Sequence, residues 1–255
     1  LFQTGGYISD LRFSPDGQHI AYFEHPAKWD DRGGVAVVDL DGKRTLLSEG
    51  YWGLEGIAWS TDGSTVYFSA GTGYADFSVY AASLSGDVRV AAQSAGGLVI
   101  HDISAKGQWF ATRDDLNRVM FVRAPGAAQE ADMSWQELSE PVDISNDGGS
   151  IVFTESGTNA GNNYLVCMRG TDGSPVVVLG EGGTTDLSDD GRWVLAGIFP
   201  NRVIMYPTGA GQSVELNTTS IELIADARWL PGGKSIVLLG GPGGEAPRCY
   251  VMEVP

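Results

Sequence analysis

Phe13-Ser14-Pro15-Asp16-Gly17 is the first of six related stretches in this 255-residue chain. The later copies are Trp59-Ser60-Thr61-Asp62-Gly63, Ile103-Ser104-Ala105-Lys106-Gly107, Ile144-Ser145-Asn146-Asp147-Gly148, Leu187-Ser188-Asp189-Asp190-Gly191 and Trp229-Leu230-Pro231-Gly232-Gly233. Measured between their final glycines, neighbouring copies are 46, 44, 41, 43 and 42 residues apart. A repeat interval in the low forties is typical of β-propeller blades and of helical repeats.

Each copy predicts a tight turn that follows a strand. In the first copy Pro15 presets φ, Asp16 tolerates the third turn position, and Gly17 closes the turn. The residues after each turn form short runs rich in β-branched and aromatic side chains, such as Thr65-Val66-Tyr67-Phe68. Such runs between Gly, Asp and Asn predict buried strands, so the repeats are propeller blades and not helical units.

The first repeat shows the predicted plan of four antiparallel strands. Strands are expected at residues 8–13, 19–24, 35–40 and 44–47, with Asp41-Gly42 as a hairpin turn between the last two. We therefore predict an all-β, six-bladed β-propeller in one domain that covers residues 1–255. Its blades are expected at residues 7–48, 54–94, 98–138, 139–181, 183–217 and 223–255.

The last repeat ends after its third strand, so a fourth strand is missing from it. Residues 1–4 read like the end of a fourth strand, and they precede the first strand of the first repeat. We expect residues 1–4 to join the last blade and close the ring, because closure removes an unpaired sheet edge.

The charge of the chain limits its partners. Sixteen basic and thirty-two acidic residues give a net charge of −16. This charge repels phosphate backbones, so we expect no nucleic-acid partner and no anionic membrane partner. High solubility explains the same charge. No run of about 18 apolar residues occurs, so we expect no membrane insertion by this segment, and we expect a monomer.

The repeats also carry a family resemblance. An apolar residue followed by Ser-Pro-Asp-Gly, a short strand, and an Asp39-Leu40-Asp41-Gly42 hairpin resembles the TolB-like β-propeller repeat of bacteria. Residues 4–17, 30–39 and 172–175 resemble the propellers that follow the kinase domain in bacterial serine/threonine kinase-like proteins. The resemblance implies a non-catalytic sensing or docking module on the periplasmic or extracytoplasmic side, and a cytoplasmic location stays open.

One face of the predicted ring carries the longer and more varied loops. Aromatic and charged loop residues are the usual material of binding sites, although ordinary loop composition explains them too. The candidate binding residues on this face are Trp29, Asp30, Asp31, Tyr51, Trp52, Tyr74, Arg113 and Asp114.

A second candidate set lies five residues before each final glycine, on the innermost strand. Apart from Ala58 these residues are charged, and they are expected to line the axial channel: Arg12, Asp102, Asp143, Asp186 and Arg228. They form a ligand or cation site, or they pair with one another and with adjacent turns, since buried charges must be paired.

The sequence contains no recognisable catalytic motif. Three histidines, at positions 19, 25 and 101, lie on separate strands or loops and do not suggest a zinc site. Cys167 and Cys249 are a whole blade apart, so we expect two buried, unpaired thiols. No catalytic residue, metal or cofactor is predicted.

We therefore expect an interaction module that binds a protein, a peptide or a small ligand and is not itself an enzyme. Two alternatives stay open. One is a propeller that serves an enzyme, as in prolyl-oligopeptidase-like hydrolases or metal-dependent lyases, and the other is a scaffold of an envelope assembly.

Overall fold

The computed structural model describes residues 3–28, 30–73, 76–242 and 245–255. The described chain is all-β, as predicted, and apart from strands it contains a short 3₁₀ turn at Thr158–Ala160. The chain divides into two compact units, Leu1–Leu116 and Asn117–Pro255. The division falls inside the third repeat, so the prediction of one domain stays a prediction.

The first unit contains two four-stranded sheets and a two-stranded sheet, in which strands consecutive in sequence pair antiparallel. The first sheet consists of β1 (Tyr7–Phe13), β2 (His19–His25), β3 (Gly33–Asp39) and β4 (Arg44–Tyr51). The second consists of β5 (Gly53–Trp59), β6 (Thr65–Gly71), β7 (Ser78–Ser83) and β8 (Val88–Ala92), and the third of β9 (Gly97–Ile103) and β10 (Trp109–Asp114).

The second unit follows the same order. Its short first sheet has β11 (Phe121–Val122) and β12 (Ala131–Asp132). The next sheet has β13 (Ser139–Ile144), β14 (Ser150–Glu155), β15 (Leu165–Gly170) and β16 (Val177–Glu181). It is followed by β17 (Gly183–Leu187), β18 (Trp193–Ile198), β19 (Arg202–Pro207) and β20 (Val214–Glu215), and then by β21 (Leu223–Trp229), β22 (Ser235–Gly241) and β23 (Arg248–Glu253).

The prediction of four paired strands in every repeat is wrong for the third repeat. Its strands form two separate two-stranded sheets, β9 with β10 and β11 with β12. The third strand of this repeat is only two residues long and is followed closely by Pro125, which has no N–H to extend a ladder. In the last repeat the described residues form three strands. Leu1 and Phe2 of the expected fourth strand lie outside the described residues, and Gln3 and Thr4 are not in a strand.

The repeated turn is held by its serine and aspartate side chains. Ser60 Oγ donates to the Asp62 carboxylate at 2.6 Å and accepts the Thr65 N–H at 3.0 Å. The same two bonds recur around Ser14, Ser145 and Ser188. In the third repeat Lys106 replaces the aspartate, and Ser104 Oγ accepts the Gln108 N–H. The sequence motif therefore encodes a hydrogen-bonded turn.

Every first strand of a repeat carries a β-bulge. The register with the second strand shifts once in β1, β5, β9, β13, β17 and β21. In β5 the extra residue is Gly56, whose φ is +63°. A Cβ atom on Gly56 would lie 1.8 Å from the carbonyl oxygen of Ile100, so the backbones of β5 and β9 approach each other more closely than a side chain allows.

The hydrophobic core of the first unit lies between successive sheets. Phe23 and Val35 of the first sheet pack in one cluster with Ile57 and Phe68 of the second. Tyr51 packs against this cluster.

We expect the Asp62 carboxyl to titrate at a pH of about 2, because the Ser60 hydroxyl and the Ser64 N–H stabilise its charged form and lower its pKa to about 2. A lowered pKa means that this aspartate contributes stability above its ordinary value of 3.8, and that the contribution is lost as pH falls from 3.8 toward 2. The measurement is a ¹³C NMR titration of the side-chain carboxyl.

Ser60→Ala should raise the pKa of Asp62, since it removes the largest cause of the shift. The matched control is Ser104→Ala, in the turn that has Lys106 instead of an aspartate, and it should leave the aspartate titrations unchanged. An unaltered Asp62 titration in Ser60→Ala would show that the turn hydroxyl does not stabilise the carboxylate.

Candidate functional site

A cavity of about 320 Å³ opens in the first unit. This volume is at the small end of the range for ligand pockets. Its floor is apolar and buried, and its rim carries three carboxylates. The lining residues are Asp31, Trp52, Gly53, Leu54, Glu55, Phe77, Gly97, Val99, Asp114 and Leu116. No Lys, Arg or His is among these described lining residues.

Backbone hydrogen bonds hold the two aromatic walls of the cavity. The Trp52 N–H donates to the Gly71 carbonyl at 2.9 Å, and the Phe77 carbonyl accepts the Leu98 N–H at 2.8 Å. A Cβ atom on Gly53 would lie 2.8 Å from the ring of Phe77. Glycine at this position therefore lets the Phe77 ring lie against the start of β5.

The loop that carries Asp31 is anchored on both sides of that residue. The Tyr7 hydroxyl donates to the Asp30 carbonyl at 3.1 Å, and the Arg32 carbonyl lies 3.2 Å from His25 Nδ1. The Tyr7 and His25 rings stack with centroids 4.1 Å apart. His25, predicted on a loop, is in fact 2% exposed at the end of β2. These contacts hold Asp30 and Arg32, the two neighbours of Asp31, in place.

The opposite rim is positioned by Arg113. Its Nε donates to the Ala95 carbonyl at 3.1 Å, and one of its terminal nitrogens forms an ion pair with Asp115 at 3.1 Å. Both groups of this ion pair are more than half exposed, so the pair itself contributes little to stability. Asp114, between these two residues, is the last residue of β10 and lines the cavity.

The electrostatic environment of the cavity is acidic. Burial raises the pKa of Glu55, and the charges of Asp114, Asp10 and Asp31 raise it further, while His101 acts in the opposite direction. The Glu55 side chain is exposed to solvent, but the cavity walls still remove part of its bulk hydration. The carboxylates of this site therefore stabilise positive charge and destabilise one another.

The structure brings together three of the eight predicted binding-face residues: Asp31, Trp52 and Asp114. Asp30 binds Arg32 at 2.8 Å, and Arg113 binds the rim backbone, so both support the site without lining it. Arg113 and Asp114 were expected on a loop and instead end a strand. Trp29 and Tyr74 lie outside the described residues.

Tyr51 was predicted on the loop face, but in the structure it lies in a strand and its side chain packs inward. Its hydroxyl is 2.8 Å from Ser48 Oγ, and its ring contacts Phe68 and Tyr80. The reason is that β4 extends four residues beyond its predicted end, so Tyr51 belongs to a strand that faces the core. Sequence reasoning also missed Glu55 and Phe77. The signal for Glu55 was present, since an acidic residue three positions after Trp52 interrupts an apolar strand.

The described contacts of the charged residues predicted for the channel lie within their own unit. In the first unit, Arg12 donates to the His101 carbonyl at 2.8 Å, and Asp102 accepts the Ile103 N–H at 2.8 Å. In the second unit, Asp143 and Asp186 accept backbone N–H groups of the next repeat, and Arg228 lies 3.8 Å from Asp186. The sequence left two interpretations of these channel residues open, a ligand or cation site and pairing with one another and with adjacent turns. The contacts in the second unit are of the second kind.

The other polar residues in the described part of the chain form no metal-binding group. No group of three or more His, Cys, Asp or Glu there is arranged to hold a metal ion. Both cysteines are free, but the prediction that both are buried is wrong. Cys167 is buried, which raises its pKa to about 12, whereas Cys249 is exposed on β23 because the sheet ends there in the described residues.

The sequence matches no protein-family profile and no curated protein. Among solved structures it is similar to TolB from Acinetobacter baumannii, with 18% identity and a TM-score of 0.36 over 82% of this chain and 56% of that one. A putative TolB from Agrobacterium tumefaciens gives 14% identity and a TM-score of 0.40 over 99% of this chain and 79% of that one.

An oligogalacturonate lyase from Vibrio parahaemolyticus gives 10% identity and a TM-score of 0.41 over 95% of this chain and 88% of that one. Similarity at this level does not assign the chain to a family or an activity. The chain spans little more than half the length of the Acinetobacter protein. No helix in the described residues is long and apolar enough to cross a membrane.

We expect Asp114→Asn to lower the pKa of Glu55 toward its ordinary value of 4.5, because Asp114 is the largest charge that raises it. The shift should be partial, since burial remains the leading cause. With a raised pKa, the contribution of Glu55 to stability is present below pH 4.5 and is lost as pH rises through the folded-state value. A carboxyl ¹³C NMR titration measures the shift.

Asp115→Asn is the matched control, since Asp115 is the adjacent aspartate, 66% exposed and paired with Arg113. Asp115→Asn should leave the pKa of Glu55 unchanged. Equal effects of the two substitutions would mean that overall charge, and not the geometry of the cavity, sets the pKa of Glu55.

Proposed function

We propose that this chain is a non-catalytic β-propeller interaction module that binds the positively charged group of a partner in the cavity of the first unit. The observation that carries the proposal is the lining of that cavity. It combines three carboxylates with the Trp52 and Phe77 rings, and no described lining residue is basic. The partner class is a protein or peptide with an exposed Lys or Arg side chain, or a small organic cation.

The cavity contains both elements that bind an organic cation. An aromatic face attracts an ammonium or guanidinium group by about 0.5–2 kcal/mol, with the larger value where water is excluded. Carboxylates on the rim neutralise the charge and accept hydrogen bonds from it. The cation would also relieve the repulsion that raises the pKa of Glu55. The net charge of −16 attracts cations over a longer range and speeds their encounter.

Hydrogen bonds that hold described residues on both rims of the cavity favour binding. Tyr7 and His25 fix the loop that carries Asp31, and Arg113 fixes the opposite rim. A site that is already formed loses less conformational entropy when its ligand binds. Loops of this kind on a β-sheet scaffold are typical of recognition surfaces.

We also propose that the six repeats are blades of one ring, as the near-constant repeat interval favours. In the last sheet β23 is an edge strand, which residues 1–4 would cover. The resemblance of residues 4–17 favours a module of a bacterial envelope or signalling protein, joined to a kinase-like domain and facing the extracytoplasmic side. Reading the coding sequence upstream of residue 1 tests this assignment, and a reading frame without a kinase-like domain would contradict it.

We expect isothermal titration calorimetry to detect binding of blocked lysine and blocked arginine, and none of blocked norleucine, the neutral isostere of lysine. Trp52→Ala should weaken binding about 5-fold or more because it removes an aromatic wall. Asp31→Asn and Asp114→Asn should each weaken it and reduce its dependence on salt, since each removes a charge that attracts the ligand.

Asp87→Asn is the control for the charge change. Asp87 is an exposed aspartate in the turn between β7 and β8 of the same unit, away from the cavity lining. It should leave the affinity unchanged. Norleucine bound as tightly as lysine, or all three aspartate variants with the same effect, would show that the cavity does not select a cation.

Ring closure predicts that Gln3 lies beside Cys249. Residues 1–4 align with residues 178–181, and in that sheet Gly180, the counterpart of Gln3, pairs with Val166. Val166 corresponds to Cys249 in the repeat. The residue before each, Leu165 or Arg248, pairs with Glu155 or Gly240, and both of these partners stand seven positions after the turn glycine of their repeat. Gln3→Cys should therefore react together with Cys249 when dibromobimane, a short thiol cross-linker, is added to the folded protein.

The control is the variant that combines Gln3→Cys with Cys249→Ser, which removes the exposed partner thiol while Cys167 stays buried. Mass spectrometry of the digested product identifies the linked peptides. Two separately labelled thiols in the single variant would mean that residues 1–4 do not pair with β23.

A further inference from the structure

The three carboxylates that line the cavity of the first unit are not used by other described parts of the fold. Asp31 comes from the loop between β2 and β3, Glu55 from β5, and Asp114 from the end of β10. Among the described residues, none of these three carboxylates forms an ion pair or a hydrogen bond. All three are therefore available to a ligand.

The neighbouring aspartates in the sequence differ, because each is paired with an arginine. Asp30 forms an ion pair with Arg32 at 2.8 Å, and Asp115 forms one with Arg113 at 3.1 Å. Both arginines next to the rim are thus engaged by aspartates outside the lining. No described residue of the lining is basic, so the protein supplies no positive charge there to offset the three carboxylates.

The three carboxylates are distributed around the cavity and are not gathered at one point. Asp31 belongs to the first sheet, Glu55 to the second and Asp114 to the third, and sheets that pack on one another are about 10 Å apart. In the described part of the chain no three acidic residues are arranged to hold a metal ion. One compact ion therefore does not contact all three, whereas two cationic groups joined by a chain reach carboxylates of different sheets.

The surface between the carboxylates is apolar. Leu54 and Val99 of the lining are 7% and 4% exposed, and the rings of Trp52 and Phe77 form the walls. A hydrocarbon chain that covers this surface is removed from water together with it, which favours binding. A hydrated inorganic ion gains nothing from such a surface. The apolar floor therefore fits the chain that joins two cationic groups.

We propose that the cavity binds a dication, in which two ammonium or guanidinium groups are joined by a flexible hydrocarbon chain and contact carboxylates of different sheets. This inference rests on the proposed function and narrows its partner class from any organic cation to one with two charges. A monocation leaves two of the three carboxylates uncompensated, whereas a dication leaves one. A linear diamine and two basic side chains of one peptide share this chemistry.

The test compares cadaverine, a five-carbon linear diamine, with pentylamine, which has the same chain and one ammonium group. By isothermal titration calorimetry we expect cadaverine to bind about 10-fold more tightly, since a second charge-assisted hydrogen bond forms. Its affinity should also fall more steeply with salt. If the advantage is no larger than the statistical factor of two equivalent ends, the dication is wrong and the cation site of the proposed function stands. If neither amine binds, both proposals are wrong.

A double variant assigns the second charge to the cavity. Asp31→Asn combined with Asp114→Asn leaves Glu55 as the acidic lining residue among those described, so the advantage of cadaverine over pentylamine should disappear. The matched control is Asp41→Asn combined with Asp87→Asn, two exposed aspartates in hairpin turns outside the lining. It makes the same change in net charge and should keep the advantage. An equal loss in both double variants overturns the proposal.

Two further titrations exclude a metal and identify the source of the dication. Calcium at the concentration of cadaverine should not displace it, and displacement would overturn the proposal because a metal ion would then be the ligand. Blocked Lys-Lys is compared with blocked Lys-norleucine in the same way. An advantage of Lys-Lys supports a peptide with two basic side chains, and an advantage confined to cadaverine supports a free diamine.

Discussion

Backbone N–H groups that the strand ladders leave unpaired are the constraint on which this structure depends. Each repeat reverses the chain after its first strand, and the reversal leaves backbone N–H groups without a partner in the ladder, so they need another acceptor. Serine and aspartate supply that acceptor. Ser60 Oγ takes the Thr65 N–H, and Asp62 takes the Ser64 N–H, in the arrangement that also surrounds Ser14. The recurrence of the sequence motif follows from this need.

The same constraint acts one step earlier in each repeat, at the bulge of the first strand. A bulge breaks the ladder and adds twist, and the aspartate that follows it can turn its carboxylate back onto the backbone. Asp102 and Asp143 accept the N–H of the next residue, and Asp143 also reaches the following sheet. These carboxylates therefore accept backbone hydrogen bonds and help to hold the fold.

The candidate site lies beside two close approaches that glycines permit. Gly53 and Gly56 allow close approach to Phe77 and to the Ile100 carbonyl, and the cavity lies beside these contacts. The turn motif predicted the strands of the first sheet to within four residues of their ends. Loop reasoning named Asp31, Trp52 and Asp114, which line the cavity. Such reasoning assigns a residue to a loop by its neighbours in sequence, so it misjudged side chains whose strand was longer than expected.

Tyr51 shows the physical limit of the sequence-based prediction. Alternation along a strand fixes which side of the sheet a residue faces only when the register is known, and one bulge reverses the pattern. The third repeat shows a second limit. Its turn and first two strands follow the motif, but strand pairing beyond them depends on a ladder long enough to compensate for loop closure. Two residues at Phe121–Val122 do not provide one.

The acidic residues of the chain fall into two groups with opposite consequences. Turn aspartates such as Asp62 are exposed and hydrogen-bonded, so their charged form is the stable one. Glu55 and Asp186 are partly desolvated beside other carboxylates, so their charged form is disfavoured. The local cost can be relieved by a proton or by a cation. Beside Glu55 a cavity with two aromatic walls has room for an organic cation. The Asp186 carboxyl is instead held between strands, since it accepts the Trp229 N–H at 2.6 Å and lies 3.8 Å from Arg228.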